Sequence, residues 1–218
     1  GRERSSLEIA CVRRQIDDLE RGHERGLVWN EDQAQRAVGF CKLLKHWKGE
    51  HHGKAFIPEP WQEHCILAPL FGWYRADGLR RFRTGYVEVP RKNGKTSLAA
   101  VLGLQGLIAD GEHGAEVYSA ATMREQASIL FSDAQNMVRL SPGLLKRVTI
   151  WKHSITCESL NGSFKPVSAD HNSLHGLNVS RCLVDEIHSH KTRDLWDVLV
   201  TATGARKQPL IIGITTAG

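Results

Sequence analysis

The segment that most constrains this chain is a basic turn between a short β-rich run and a long apolar stretch. Residues 86–89 read Tyr-Val-Glu-Val, residues 90–96 read Pro-Arg-Lys-Asn-Gly-Lys-Thr, and residues 96–109 are mostly apolar. This order predicts a strand, a loop and a helix. A loop that enters a helix N-terminus is a ready anion site, because unpaired backbone N–H groups point at the ligand.

The loop of residues 89–96, here called the phosphate loop, matches most of the pattern GxxxxGK[ST]. Gly94, Lys95 and Thr96 fit it, whereas Val89 stands where the first glycine is expected. Gly94 lets the backbone approach a phosphate, Lys95 can neutralise the β- and γ-phosphates, and the Thr96 hydroxyl can bind Mg²⁺. The loop therefore predicts a site for a nucleoside triphosphate. The alternative reading of these residues is a basic turn before a helix.

The rest of the chain alternates strand-like and helix-like segments. Apolar strand-like runs that do not alternate with polar residues are typical of a parallel sheet covered on both faces. The predicted fold class is therefore α/β, with a helical N-terminal extension over residues 1–55 and a core over residues 56–218. The predicted helices cover residues 5–21, 30–47, 61–74, 96–109, 122–140 and 191–205; the predicted strands cover 86–89, 116–120, 181–184 and 210–215, with a hairpin over 147–168 that turns at Asn161–Gly162.

Two adjacent carboxylates end one of the buried strands. Residues 181–186 read Arg-Cys-Leu-Val-Asp-Glu. An ATPase needs such a pair downstream of its phosphate loop: Asp185 to hold the magnesium shell and Glu186 to act as general base on the attacking water. The alternative is an ordinary strand end at the surface.

Two further motifs fit the same interpretation. The last predicted strand ends in Thr215 and Thr216, within the run Ile-Thr-Thr-Ala-Gly of residues 214–218. In the additional-strand class of ATPases that strand lies between the phosphate-loop strand and the Asp-Glu strand, so its tip is expected beside the γ-phosphate. Upstream, Trp61 offers a stacking face and the Gln62 carboxamide can both donate to and accept from an adenine edge. Packing is the alternative for both motifs.

The positive charge of the chain is concentrated in one segment. Lysine and arginine number 29 against 24 acidic residues, and residues 75–95 hold seven basic and two acidic side chains, which equals the whole excess. Such a cluster indicates phosphate, on a nucleotide or on nucleic acid. We expect the nucleotide to take Arg91, Lys92 and Lys95, and DNA to take the remaining four: Arg75, Arg80, Arg81 and Arg83. The alternative for those four is a solvated surface.

Taken together, residues 40–218 resemble the large terminase subunit of tailed bacteriophages, the motor that packages DNA. The resemblance rests on the runs KGEHHGKAFIPEPWQ, YVEVPRKNGKT, EVYSAATMREQASILFSDAQNMV, SLHGLNVSRCLVDEIHSH and GITTAG. A missing first glycine with an arginine in the loop is itself typical of terminases. The resemblance implies a P-loop ATPase of the RecA-like, additional-strand type with a mainly parallel sheet flanked by helices.

The resemblance also implies roles for individual residues. Glu186 and Lys95 would be catalytic together with Arg91, a candidate arginine finger in cis, whereas Arg124 and Arg139 are candidates across a subunit interface. Thr96 and Asp185 would hold Mg²⁺. The nucleotide, ATP, would contact Trp61, Gln62, Arg91, Lys92, Asn93, Gly94, Lys95, Thr96, Thr215 and Thr216.

The implied partners are double-stranded DNA of any sequence, the small terminase subunit and the capsid portal, with a homo-oligomeric ring in the cytoplasm of the infected host. Large terminase subunits continue into a nuclease domain; this chain stops at Gly218, so no nuclease activity is expected of it. Two other functions compete: a helicase or translocase of another P-loop branch, and a nucleotide-bound assembly module without turnover. An ATPase assay with and without double-stranded DNA separates the three.

Overall fold

The computed structural model describes residues 6–168 and 176–216. The first five residues of the predicted extension, residues 173–175 of the motif before the Asp-Glu pair, and the last two residues of the chain therefore lie outside the described residues. The chain divides into two compact units: Gly1–Gly39 with Ile57–Phe82, and Phe40–Phe56 with Arg83–Gly218. Each unit thus combines segments that are distant in sequence, in contrast to the single boundary expected near residue 55.

The first unit combines helices with a two-stranded sheet. Strand β1 (Leu27–Trp29) pairs antiparallel with β2 (Trp73–Arg75), and the rings of Trp29 and Trp73 meet edge to face at 5.1 Å. Its helical segments are α1 (Ser6–Arg21), a 3₁₀ turn (Gly22–Arg25), α2 (Glu31–Cys41), α3 (Pro60–Gln62), a π-helical turn (Glu63–Leu67) and α4 (Ala68–Gly72).

Sequence expectations for this region are only partly met. Asn30 does cap α2, because its Oδ1 accepts the Gln33 backbone N–H at 3.0 Å, but the helix ends at Cys41 and not at residue 47. The helix predicted over residues 61–74 is wrong at its end, where Trp73 begins β2. Pairing with β1, more than forty residues away, decides that conformation, and local periodicity does not report it.

The second unit is built on a seven-stranded sheet with the order β3-β9-β8-β4-β7-β6-β5. The first five of these strands are parallel, and the last two pairings are antiparallel. The predicted mainly parallel sheet is therefore confirmed. The strands are β3 (Thr84–Val89), β4 (Glu116–Ala121), β5 (Thr149–Ile150), β6 (Ile155–Cys157), β7 (Gly162–Ser168), β8 (Arg181–Asp185) and β9 (Leu210–Thr216). The helices are α5 (Lys95–Ile108), α6 (Arg124–Arg139), α7 (Pro142–Leu145) and α8 (Asp194–Thr201).

Helices cover the central strands on both faces. Phe131 of α6 meets Phe164 of β7 edge to face at 5.5 Å, and a Cβ added to Gly103 of α5 would lie 2.7 Å from that same ring. On the opposite face, Leu195 and Leu199 of α8 share a buried cluster with side chains of β4, β8 and β9. Burial on both faces explains why these strands read as continuous apolar runs.

The strand order brings the motifs to one edge of the sheet. β9 lies between β3 and β8, as the additional-strand class requires, with Val89 beside Thr216 and Asp185 beside Ile214. Since parallel strands end at the same edge, the phosphate loop, the Asp-Glu pair and the two threonines all leave the sheet there.

Candidate nucleotide-binding site

The phosphate loop turns sharply before α5. Gly94 is the N-cap of the helix and adopts the left-handed conformation (φ 72°, ψ 16°), which glycine reaches without steric cost. Lys92 also has a positive φ of 65°. The Asn93 side-chain amide donates to the carbonyls of Pro90 (3.1 Å) and Arg91 (3.2 Å), so the described contacts of this residue hold the loop in shape.

The Asp-Glu pair lies at a second sharp turn. Asp185 ends β8, and Glu186 follows in the left-handed region with φ 47°. The Asp185 carboxylate accepts the Glu186 backbone N–H at 3.0 Å, and Glu186 caps the 3₁₀ turn Ile187–Ser189. A non-glycine residue held at positive φ is strained, and such strain is common at functional sites.

Lys95 joins three motifs that are distant in the sequence. Its Nζ lies 3.2 Å from Asp185 Oδ1, donates to Thr216 Oγ1 at 3.3 Å and forms a short contact with Glu186 Oε1. Thr216 Oγ1 in turn donates to Glu186 Oε1 at 3.2 Å. The predicted phosphate lysine, both carboxylates and one of the threonines therefore form a single cluster.

The surroundings of Glu186 favour its ionised form. Burial raises its pKa, but the hydrogen bond and charge of Lys95, the hydrogen bond from Thr216 and the charge of His188 outweigh burial and hold the pKa below its ordinary value. Glu186 is therefore a carboxylate at neutral pH and can accept a proton.

These groups open onto a cavity of about 610 Å³, a volume in the range of small-molecule sites. Four cationic side chains face it: Lys48, Arg91, Lys92 and Lys95. A polyphosphate is the class of ligand that such a lining favours. The other lining residues are Pro90, Gly94, Thr96, Ser97, Gln126, Asp133, Glu186, His188, Ser189 and Thr216.

Four of the lining residues were not anticipated from the sequence: Lys48, Gln126, Asp133 and His188. Lys48 Nζ donates to Asp133 Oδ1 at 3.2 Å, and the Asp133 residue is only 2% exposed. Nothing in the turn-rich stretch around Lys48 indicates this pairing across 85 residues. His188 lies two positions beyond Glu186, so its proximity to the Asp-Glu pair was the one signal available.

Other predicted residues lie apart from this cluster. Trp61 and Gln62 belong to the first unit. Gln62 is 4% exposed, and its Oε1 accepts the Glu59 backbone N–H at 3.0 Å in a capping box, so its described contact is structural. Arg124 and Arg139 are exposed at the two ends of α6, and Arg139 donates to Asn136 Oδ1 at 2.9 Å.

The expected DNA role of the arginine cluster is corrected for two of its four members. Arg80 is 5% exposed, with its guanidinium carbon 5.7 Å from the centroid of the Phe71 ring. Arg81 pairs with the fully buried Asp18 carboxylate and stacks over the rings of Trp73 and Phe82. Both side chains are committed to packing within the first unit and are not presented to a phosphate backbone.

The two remaining members of that cluster are exposed. Arg75 lies 2.7 Å from Asp77, in an exposed ion pair, and Arg83 is exposed at the start of the second unit. No helix in the described part of the chain is long and apolar enough to cross a bilayer.

Comparison with known proteins identifies relatives for most of the chain. Residues 60–218 match the family described as "Terminase large subunit, ATPase domain". The large terminase subunit of Enterobacteria phage HK97 is 32% identical over 182 residues, which cover 81% of this chain and 34% of that protein. The chain therefore spans about a third of the length of this relative.

Solved structures agree with the fold. The crystal structure of the HK97 large terminase superimposes with a TM-score of 0.72 at 26% identity, over 84% of this chain and 37% of that one. The large terminase ATPase domain of Thermus phage P74-26 gives 0.51 at 18% identity, over 63% and 61% of the two chains. The large terminase of another thermophilic bacteriophage gives 0.52 at 9% identity, over 85% and 39%.

Proposed function

The chain belongs to the family of terminase large subunit ATPase domains, and from this premise we propose that it hydrolyses ATP to drive the packaging of double-stranded viral DNA into a procapsid. The observation that supports turnover is the contact of Lys95 with Glu186 and Thr216, which joins motifs 91 and 121 residues apart. The helicase alternative is not favoured, because the relatives described above are all terminases.

The catalytic assignment begins with Lys95. In the free protein its ammonium neutralises Asp185 and Glu186. When ATP enters, the β- and γ-phosphates compete for the same ammonium, so Lys95 turns from the carboxylates to the phosphates. Glu186 is then released to take a proton from the water that attacks the γ-phosphorus, and ADP leaves with the bridging oxygen. Arg91 and Lys92, exposed on the cavity wall, add positive charge for the phosphates.

The residues present suit Mg²⁺. The Thr96 hydroxyl and the Asp185 carboxylate are oxygen donors, which this hard ion prefers, and an ammonium already lies 3.2 Å from Asp185 Oδ1. No group of three or more acidic, histidine or cysteine side chains in the described ranges could hold a metal ion. We therefore assign Thr96 and Asp185 as protein ligands, with phosphate oxygens and water completing the shell. Bound there, Mg²⁺ would neutralise charge on the β- and γ-phosphates.

The test measures ATP binding and phosphate release for the wild type, Lys95→Ala and a matched control, Lys207→Ala, an exposed lysine of the same unit. We expect Lys95→Ala to lose binding or turnover and Lys207→Ala to behave as the wild type. Hydrolysis by Lys95→Ala at the wild-type rate would show that the nucleotide site lies elsewhere. Repeating the assay with double-stranded DNA tests the coupling: stimulation supports a translocating motor, and indifference to DNA argues against it.

The partners follow from the family and remain proposals. We propose sequence-independent contact with DNA, assembly with the small terminase subunit and the capsid portal, and a ring in the cytoplasm of the infected host. An arginine from a neighbouring copy, Arg124 or Arg139, would complete the site. Nuclease activity is not proposed for these 218 residues.

A further inference from the structure

His188 is held against the catalytic cluster by one ring nitrogen. Its Nδ1 lies 3.2 Å from Glu186 Oε2 and forms a short hydrogen bond with Thr215 Oγ1. The turn that carries it is fixed, because the Ser189 hydroxyl and backbone N–H both donate to the Glu186 carbonyl, at 2.7 and 2.8 Å. His188 also lines the cavity.

The two oxygens of Glu186 have different partners. Oε1 receives Lys95 and Thr216, whereas Oε2 faces His188, with Thr216 at 3.4 Å. If Lys95 turns to the phosphates, as the proposed function requires, Glu186 loses its strongest contact. Of its described side-chain partners, Thr216 and His188 then remain to keep a carboxylate in place, and a general base must stay aligned with its water.

Through these two partners, both threonines at the tip of β9 reach Glu186. Thr216 contacts it directly, and Thr215 contacts it through His188. Thr215 is almost completely buried, so its hydroxyl is fixed in position relative to β9. Because Nδ1 carries at most one proton, its hydrogen bond with Thr215 and its contact with Glu186 depend on each other.

We propose that His188 is a positioning residue: its Nδ1 holds Glu186 in the orientation needed for hydrolysis and links that carboxylate to Thr215 on β9. The proposal rests on the proposed ATPase function. A displacement of the β9 tip would pass to the general base by two routes, one direct and one through the imidazole. Packing does not account for His188, since 54% of its side chain is exposed.

The experiment exploits the different reach of asparagine and glutamine. His188→Asn places a polar atom near the position of Nδ1, His188→Gln places one near Nε2, and His188→Ala places none. We expect kcat for ATP to fall roughly 10- to 100-fold in the alanine variant, as loss of a hydrogen bond to a charged group implies, with KM changed less than about twofold. Asparagine should restore most of kcat, and glutamine should not.

A second comparison tests the link to β9. Thr215→Val removes the hydroxyl at nearly constant shape, so it should lower kcat less than additively with His188→Ala, because both changes break the same chain of contacts. His153→Ala, an exposed histidine of the same unit, serves as the control and should leave kcat unchanged. Equal activities of the asparagine and glutamine variants, an unchanged kcat in His188→Ala, or fully additive losses would each overturn the proposal.

Failure of the proposed function would be seen separately, as absence of hydrolysis by the wild-type protein. In that case ¹⁵N-imidazole spectra still test the arrangement without turnover. The Nδ1 resonance of His188 should move in Thr215→Val and in Glu186→Gln but not in His153→Ala. An Nδ1 resonance unaffected by both substitutions would show that the imidazole does not join these two groups.

Discussion

Replacing Glu186 by glutamine should abolish hydrolysis and strengthen nucleotide binding at the same time. The amide has the shape of the carboxylate but cannot accept the proton from water, and loss of a general base costs about 10²- to 10⁴-fold in rate. The affinity change has a different origin. In the free protein ATP must draw Lys95 away from Glu186, and glutamine, being neutral, holds the ammonium less strongly.

The size of the affinity change follows from the exposure of the pair. The side chains of Lys95 and Glu186 are 13% and 29% exposed, so water screens their attraction in part. An ion pair of this kind is worth about 1 kcal/mol, which corresponds to about fivefold in the dissociation constant. Asp185 still contacts Lys95 in the variant and limits the gain.

The assay combines titration of a fluorescent ATP analogue with measurement of phosphate release. Glu158→Gln, a change of the same kind at an exposed turn of the second unit, is the control and should alter neither quantity. Hydrolysis at the wild-type rate would refute Glu186 as the base. Retained loss of hydrolysis with affinity tenfold weaker would refute the competition between Glu186 and the phosphates for Lys95.

Three further outcomes concern pH, stability and DNA, and a fourth concerns assembly. The acid limb of kcat/KM should lie below the ordinary carboxyl pKa, because Glu186 has a lowered pKa in the fold; by the same sign, its contribution to stability is present above its unfolded pKa and is lost as the pH falls through the folded value, and a limb above about pH 6 would contradict this. Arg80→Ala should lower the free energy of unfolding in urea by about 2 kcal/mol, whereas exposed Arg83→Ala should change it by less than about 0.5 kcal/mol, and equal effects would contradict the burial argument. Arg75→Ala with Arg83→Ala should lower the log–log salt slope of DNA binding by about two if both contact phosphate; an unchanged slope would place DNA elsewhere. Specific ATPase activity should rise with protein concentration, since an arginine supplied by a neighbouring copy is worth about 10³- to 10⁵-fold; activity that is flat over a hundredfold range at motor-like speed would exclude such a trans contribution.

Local sequence carried much of the second unit because the relevant signals are short-range. The Gly-Lys-Thr loop needs only a preceding strand and a following helix, both of which are visible as apolar runs. The Asp-Glu pair ends such a run as well, and parallel strands end at one edge. Motif order together with the additional-strand class was therefore enough to predict the strand order in which β9 separates β3 from β8.

Tertiary structure decided what depends on distant partners. Arg80 and Arg81 are charged residues in a basic run, and only folding shows that one is buried against Phe71 and the other pairs with Asp18, 63 residues earlier in the chain. Gln62 has a carboxamide suited to adenine, yet in the fold its Oε1 caps the backbone of Glu59. No local pattern reports which of these partners a polar side chain will select.

Sequence alone thus determined the class of chemistry, because phosphate binding and proton transfer require specific residue types at the ends of predictable elements. The assembled cluster was decided by the fold: Lys95, Glu186 and Thr216 meet through strands from three parts of the chain, and His188 and Lys48 join the cavity without any motif of their own. The physical reason is range. Periodicity and turn chemistry act over a few residues, whereas hydrogen bonds and ion pairs form between any groups that packing brings within about 3 Å.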